Sequence, residues 1–91
     1  MVKIKRIGKF EEMVFDLNEK EPDKTDIILE KITIFVKNPE DTRLDNHALT
    51  GRLEGKFAFS ITDDIRIVYE LIGKSSVRFL SIGRHKKVYS M

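Results

Sequence analysis

The spacing of apolar residues changes from a helical to a strand period near the middle of the chain, and this change constrains the fold more than any other feature. Phe10, Met13, Val14 and Leu17 recur with the spacing of one helix face. From Phe57 onward, apolar residues fall at every second position instead, as in strands with one buried face. A chain of this kind predicts an α+β domain in which helices precede a sheet.

Two helices are predicted in the first half. The first carries the stripe just described and ends at Glu21-Pro22-Asp23, because proline does not continue a helix. The second begins at Asp23 or Thr25, either of which can cap it, and ends near Asn38, since Pro39 follows. Its predicted apolar side consists of Ile28, Leu29, Ile32, Phe35 and Val36.

Four strands are predicted around these helices. Val2 and Ile4 alternate with Lys3 and Lys5, which indicates a short N-terminal strand at an edge. Three strands follow, and the short turns between them at 62–64 and 73–76 favour an antiparallel meander. The last strand is apolar on both sides, so we expect it to be central. The apolar positions of the meander are Phe57, Phe59 and Ile61, then Ile65, Ile67, Tyr69 and Leu71, then Val77 to Ile82.

The predicted architecture is therefore a two-layer α+β fold with both helices on one face of the sheet. If Ile65, Ile67 and Tyr69 face the helices, Arg66 must point to the opposite face. An arginine held there by a rigid sheet is well placed to meet a phosphate.

Bulk composition is that of one globular domain spanning 1–91, with 41% apolar and 35% charged residues. The chain has no cysteine, which excludes disulfides and thiolate metal sites. No apolar run reaches the roughly 18 residues that a membrane span needs, and the N-terminus lacks a signal-peptide pattern. We therefore expect a cytoplasmic protein without a membrane partner.

Positive charge is concentrated in the second half of the chain. Residues 1–41 contain 8 Lys/Arg and 10 Asp/Glu, whereas residues 42–91 contain 9 and 5. An excess of cations favours a polyanionic partner, although ordinary surface charge would produce the same imbalance.

Three segments carry a resemblance to a known family: 47–55 (HALTGRLEG), 64–69 (DIRIVY) and 80–89 (LSIGRHKKVY). In this order and spacing they resemble the RelE/ParE toxin superfamily. The likeness is greatest to its YafQ- and YoeB-like branch, which carries a histidine just after the last strand. The helical half agrees with that family in layout.

The resemblance implies a toxin of a type II toxin–antitoxin system that cuts messenger RNA on the ribosome without a metal or other cofactor. In that reaction the 2′-hydroxyl attacks the adjacent phosphate and the 5′-oxygen leaves. One group must accept a proton, another must donate one, and cations must stabilise the charge on phosphorus. The implied partners are a cognate antitoxin, the ribosome and the message, with the chain monomeric or in a toxin–antitoxin hetero-oligomer.

The same resemblance implies roles for individual residues. His85 is the expected general acid, since imidazole exchanges protons near neutral pH. Arg66 would hold phosphate oxygens, Tyr89 would stack on a base or donate its hydroxyl, and His47 would be a second proton-transfer group. RNA contacts are expected from Arg52, Lys56, Arg84, Lys86 and Lys87.

Each of the four leading residues also has a purely structural interpretation. His85 could be an exposed loop histidine, and the ring of His47 could cap the connection between helix and strand. Arg66 could pair with a carboxylate such as Glu70, and Tyr89 could pack on the sheet edge.

The chain departs from the family at two places. Where one branch has paired lysines on the first meander strand, this chain has Ala58 and Ser60, which shifts the expected chemistry to the histidines. Where an acid often follows the catalytic histidine, it has Lys86-Lys87. Two other functions stay open: a ParE-like, non-enzymatic inhibitor of DNA gyrase, and a module that binds RNA or antitoxin without catalysis.

Overall fold

The chain folds in the predicted order, with one short strand added. The computed structural model describes residues 1–84. Three 3₁₀ turns connect the regular elements, at Pro22–Lys24, Thr42–Leu44 and Gly51–Leu53. The helices and strands are β1 (Lys3–Arg6), α1 (Gly8–Lys20), α2 (Thr25–Lys37), β2 (His47–Ala48), β3 (Lys56–Ser60), β4 (Ile65–Leu71) and β5 (Ser76–Arg84).

All five strands form one sheet in the order β1-β5-β4-β3-β2. β1 runs parallel to β5, and the other neighbours are antiparallel, so the predicted meander is β3-β4-β5. The central position predicted for the last strand is confirmed, because β5 lies between β1 and β4. β2 is too short to show a period, and the sequence therefore does not predict it.

The two helices cover one face of this sheet with an aromatic core. Phe10 of α1 and Phe35 of α2 are buried against Phe59, Tyr69 and Phe79 of the meander. The ring centroid of Phe35 lies 4.5 Å from that of Phe59 and 5.0 Å from that of Tyr69, distances at which aromatic pairs are stabilising. The predicted two-layer α+β arrangement is confirmed. Within the described residues, no helix has the length and apolar character that crossing a membrane requires.

The predicted cap of α2 was wrong. Lys24 occupies the cap position, and no side chain there accepts a hydrogen bond from the first turn. The Thr25 hydroxyl instead donates to Asn18 Oδ1 of α1 at 3.0 Å, and Asp23 pairs with the Lys24 ammonium at 3.0 Å. The 3₁₀ turn before α2 leads directly into the helix, so the chain has no extended residue from which a side chain could cap it.

One residue of the predicted apolar side of α2 is also misplaced. Leu29 is 58% exposed, whereas Ile27 packs against the core. The buried stripe is centred on Ile28 and Phe35, and Leu29 lies at its margin.

The helices leave the opposite face of the sheet open. Ile65, Ile67 and Tyr69 belong to the core under the helices, so Arg66 lies on the other face, as predicted. At the centre of this face Ala58 and Val68 are fully buried, with Leu49 and Leu80 packed against them. We call this side the open face; its meander residues on β3 and β4 are Lys56, Ala58, Ser60, Arg66, Val68 and Glu70.

Candidate functional site

Arg66 lies between two small residues in the middle of the sheet. Its neighbour on β3 is Ser60 and its neighbour on β5 is Gly83. The Arg66 guanidinium donates a hydrogen bond from Nη1 to the Ser60 hydroxyl, and the side chain is half-buried. Neither neighbour has a bulky side chain that would cover Arg66. The Arg66 guanidinium is thus a positive charge held in place by a hydrogen bond to a neutral hydroxyl.

The alternative in which Arg66 pairs with Glu70 is wrong. The Glu70 carboxylate accepts a hydrogen bond from Arg78 instead, with 2.7 Å between Arg78 Nη1 and Glu70 Oε2. Among residues 1–84, Arg66 forms no ion pair with a carboxylate. Its charge is therefore not offset by a neighbour in the described part of the chain.

His47 lies on the same face, at the sheet edge. It pairs with Ala58 of β3, and Ala58 pairs with Val68 of β4, two residues from Arg66. His47 is therefore two strands away from Arg66, roughly 10 Å across the sheet, and about 7 Å away along the strand direction. Its Nδ1 is 2.9 Å from the carbonyl oxygen of Asp45. Because a carbonyl only accepts, this hydrogen bond requires the proton on Nδ1 and leaves Nε2 of the neutral ring as an acceptor. The ring could thus take up a proton at Nε2, and its contact also fits the structural interpretation of a capping ring.

Tyr69 attaches the segment before His47 to the centre of the sheet. Its hydroxyl donates to Asn46 Oδ1 at 2.9 Å, and the side chain is 4% exposed. Burial raises the pKa of Tyr69 above its ordinary value. The hydroxyl therefore stays protonated at neutral pH and holds the residue before His47 in place.

Replacing Tyr69 with phenylalanine should lower the free energy of unfolding by about 1 kcal/mol, since the variant leaves the Asn46 oxygen without its donor. The pKa of Tyr69 is raised in the folded protein, so its contribution is full below the unfolded value near 10 and is lost as pH rises through the folded value. Urea denaturation at neutral and alkaline pH measures both effects. In an Asn46→Ala background the same substitution should cost less. Equal costs in the two backgrounds would contradict the proposed bond.

The three described residues predicted for RNA contact, Arg52, Lys56 and Arg84, do not form one group. Arg52 is exposed in the Gly51–Leu53 turn, and Lys56 lies on the open face opposite Glu70. Arg84 is held by two carboxylates, Glu21 at 2.6 Å and Asp64 at 3.0 Å. These ion pairs give Arg84 a structural role between α1 and the β3–β4 turn. The predicted residues His85, Lys86, Lys87 and Tyr89 lie outside the described residues.

Three further cations line the open face and were not predicted as site residues: Lys3 and Lys5 of β1, and Arg78 of β5. Ile4 packs into the core, so the lysines on either side of it point to the open face. In the parallel pairing of β1 with β5, Lys5 is the partner of Arg78. The alternation in the sequence signals that these lysines share a face, but only the pairing with β5 shows which face it is. Within residues 1–84, no group of three or more His, Asp or Glu side chains could hold a metal ion.

The overall structure is similar to several solved toxin structures. YafQ from Escherichia coli is 21% identical with a TM-score of 0.79, covering 98% of this chain and 99% of YafQ. A copper-bound mutant toxin from Helicobacter pylori is 25% identical with a TM-score of 0.77, covering 97% and 99% of the two chains. A YoeB/ParE toxin from Agrobacterium tumefaciens is 16% identical with a TM-score of 0.75, covering 92% and 99%.

No protein-family model and no curated protein matches the sequence. The likeness is therefore carried by the arrangement of helices and strands. At the level of the fold it confirms the resemblance inferred from the segments 47–55, 64–69 and 80–89: the chain has the fold of YafQ and of the YoeB/ParE toxin.

Proposed function

We propose that this chain is the toxin of a type II toxin–antitoxin pair and a ribonuclease that cuts messenger RNA on the ribosome. Among the structural neighbours, YafQ of Escherichia coli is described in a toxin–antitoxin complex with DinJ, at 21% identity and a TM-score of 0.71. The observation that carries the enzymatic part is Arg66, a half-buried cation on the open face whose described partner is a neutral hydroxyl.

The chemistry assigned to Arg66 is stabilisation of the transition state. Negative charge grows on the phosphorus oxygens as the 2′-oxygen attacks, and a guanidinium can donate to two of them. An arginine already paired with a carboxylate would have to break that pair first. Arg66 only has to exchange the Ser60 hydroxyl, a neutral acceptor, for the phosphate oxygens, which are charged acceptors and bind a guanidinium more strongly.

The proton transfers are assigned to the two histidines. In the proposed step, a base removes the 2′-hydroxyl proton as the 2′-oxygen bonds to phosphorus, forming a 2′,3′-cyclic phosphate. The bond from phosphorus to the 5′-oxygen breaks, and an acid protonates that oxygen. His47 has the tautomer needed for the base, since its Nε2 can accept. His85 is proposed as the acid and Tyr89 as a stacking or hydroxyl-donating partner.

The end of β5 supports the assignment of His85. The last described residue, Arg84, pairs with Ile65, and Gly83 pairs with Arg66. The described part of β5 thus ends one register position beyond the partner of Arg66, and His85 is the next residue in the sequence. Lys86 and Lys87 follow it, and with Arg52 and Lys56 they are proposed to hold the RNA backbone.

The direct test is to express the protein and map message ends on translating ribosomes. New cleavage sites that depend on ribosomes support the proposal. An intact message pool together with blocked gyrase supercoiling would replace it with a non-enzymatic toxin of the ParE kind. An intact message pool with retained RNA or antitoxin binding would identify a module without catalysis.

His85→Ala is expected to slow cleavage at least tenfold while the protein stays folded, because proton transfer to a leaving oxygen contributes strongly to rate. His47→Ala should also slow cleavage in the same assay, because it removes the proposed base. Cleavage at the wild-type rate in His85→Ala would eliminate it as the acid. Circular dichroism and thermal melting of both variants monitor the fold.

The proposed protein partner is a cognate antitoxin that covers the basic open face. The positive charges on that face require an acidic partner surface if they are to be buried, since unpaired buried charge is costly. A short neighbouring gene that encodes an acidic protein would support this pairing. Co-expression of the two proteins should abolish message cleavage and yield a complex that co-purifies.

A further inference from the structure

A second cationic area lies on the open face, away from Arg66. Its centre is a row of four residues on adjacent strands, in the order Lys5, Arg78, Glu70 and Lys56. Lys3 lies two residues before Lys5 on β1, beside Ser76 of β5. We call Lys3, Lys5 and Lys56, with the Arg78–Glu70 pair between them, the basic row.

The basic row carries a net positive charge. Glu70 is its single carboxylate, and the 2.7 Å contact with Arg78 uses that negative charge. Within residues 1–84, neither Lys3, Lys5 nor Lys56 forms an ion pair. Lys3 and Lys5 are exposed on an edge strand, where their ammonium groups can reach a ligand that lies across the sheet. The pair in the centre leaves three lysines whose charge is not offset nearby.

The basic row is separated from Arg66 by the apolar cluster of the open face. Glu70 lies four residues beyond Arg66 on β4, a distance of about 14 Å along the strand. Leu49 and Leu80, packed over Ala58 and Val68, occupy the interval. A ligand that crosses this face would therefore meet a guanidinium, then an apolar surface, then several lysines.

We propose that the basic row binds the phosphates of the single-stranded message on one side of the nucleotide held at Arg66. This inference rests on the proposed function for the identity of the RNA. Single strands expose bases that can lie on an apolar surface while their phosphates meet cations, and flat sheets are a common platform for them. A duplex keeps its bases stacked inside and would make no use of Leu49 and Leu80. The chemistry of the face therefore fits a single strand.

The test uses a twelve-nucleotide RNA with 2′-O-methyl groups, which binds but cannot be cleaved by 2′-hydroxyl attack. Its Kd is measured by fluorescence anisotropy over a range of salt concentrations. Lys3→Gln combined with Lys5→Gln should weaken binding roughly tenfold near 0.1 M salt and reduce the salt slope by about 1.4, because each phosphate contact to a single strand contributes about 0.7.

The matched control is Lys9→Gln combined with Lys37→Gln. Both lysines are exposed on helices, on the other side of the sheet, and the substitution removes the same charge. This control should leave the Kd and the salt slope close to wild type. If both pairs of substitutions weaken binding equally, net charge alone explains the effect, and the proposal that the basic row binds RNA is overturned.

Two further outcomes decide the identity of the ligand. Wild-type affinity of the Lys3/Lys5 variant for the single strand overturns the proposal, as does a loss confined to a duplex of the same sequence or to an acidic antitoxin. Failure of the proposed ribonuclease function gives a different result. If the wild-type protein binds the methylated RNA and the Lys3/Lys5 variant binds it more weakly, but the wild-type protein cuts no message on ribosomes, the ribonuclease proposal is wrong and RNA binding by the basic row stands.

Discussion

Replacing Arg66 with alanine is expected to slow message cleavage roughly 10²- to 10³-fold, the usual cost of losing one donor that stabilises a developing anion. Arg66 is proposed to act on the phosphate in the transition state, so kcat should fall more than KM rises. The side chain is half-buried on β4 and its described hydrogen bond goes to Ser60, so its removal leaves no buried carboxylate unpaired. Single-turnover cleavage of a message on programmed ribosomes measures the rate of the chemical step.

Two variants make this result specific. Arg66→Lys keeps one positive charge but cannot donate to two phosphate oxygens, so we expect a rate between those of wild type and alanine. Arg43→Ala is the matched control, because Arg43 is an exposed arginine that pairs with Asp41 at 2.8 Å in the turn after α2. It should cleave at the wild-type rate. Wild-type cleavage by a folded Arg66→Ala protein would remove Arg66 from the mechanism.

The orientation of Arg66 could be predicted because it depends on local information alone. Side chains on a strand alternate between faces, so the buried positions Ile65 and Ile67 determine where Arg66 points. The partner of Arg66 could not be predicted in the same way. Glu70 is close to Arg66 in sequence, yet on a strand this separation is about 14 Å, whereas Arg78 on β5 is a direct neighbour of Glu70.

The cations of β1 illustrate what the sequence does not encode locally. Lys3 and Lys5 visibly alternate with Val2 and Ile4, but their place beside Arg78 follows from a parallel pairing between strands at opposite ends of the chain. The position of β2 likewise depends on long-range contacts, since two residues have no period. The meander and both helices were predictable because each carries a repeated apolar pattern, whereas the basic row is assembled from single residues of distant strands.

The cap of α2 was mispredicted for a related reason. Asp23 and Thr25 both have side chains suited to capping, and intrinsic preference alone cannot tell which backbone conformation precedes the helix. Tertiary structure assigns Thr25 to a contact with Asn18 between the helices, which joins α1 and α2 instead of capping one of them. The roles of His85 and Tyr89 stay predictions from the family resemblance and from the position at which β5 ends.

Phe35→Ala should lower the free energy of unfolding by about 3–5 kcal/mol, the range typical for removing a buried aromatic ring. Phe35 is fully buried and its ring contacts three others, those of Phe59, Tyr69 and Phe79, with centroids 4.5, 5.0 and 5.6 Å away. Small domains have a total stability of roughly 5–15 kcal/mol, so this loss is a large share. Urea denaturation followed by circular dichroism measures it.

Phe15→Ala is the matched control, because it makes the same chemical change at a phenylalanine of α1 that is 63% exposed. Its cost should stay within about 0.5 kcal/mol, as for most surface substitutions. Similar costs for the two variants would mean that Phe35 does not hold the helices on the sheet. Since Phe35 packs on Tyr69, and Tyr69 bonds the residue before His47, the Phe35 variant should also cleave more slowly at temperatures where it is still folded. The aromatic core would then support the open face from behind, through β4.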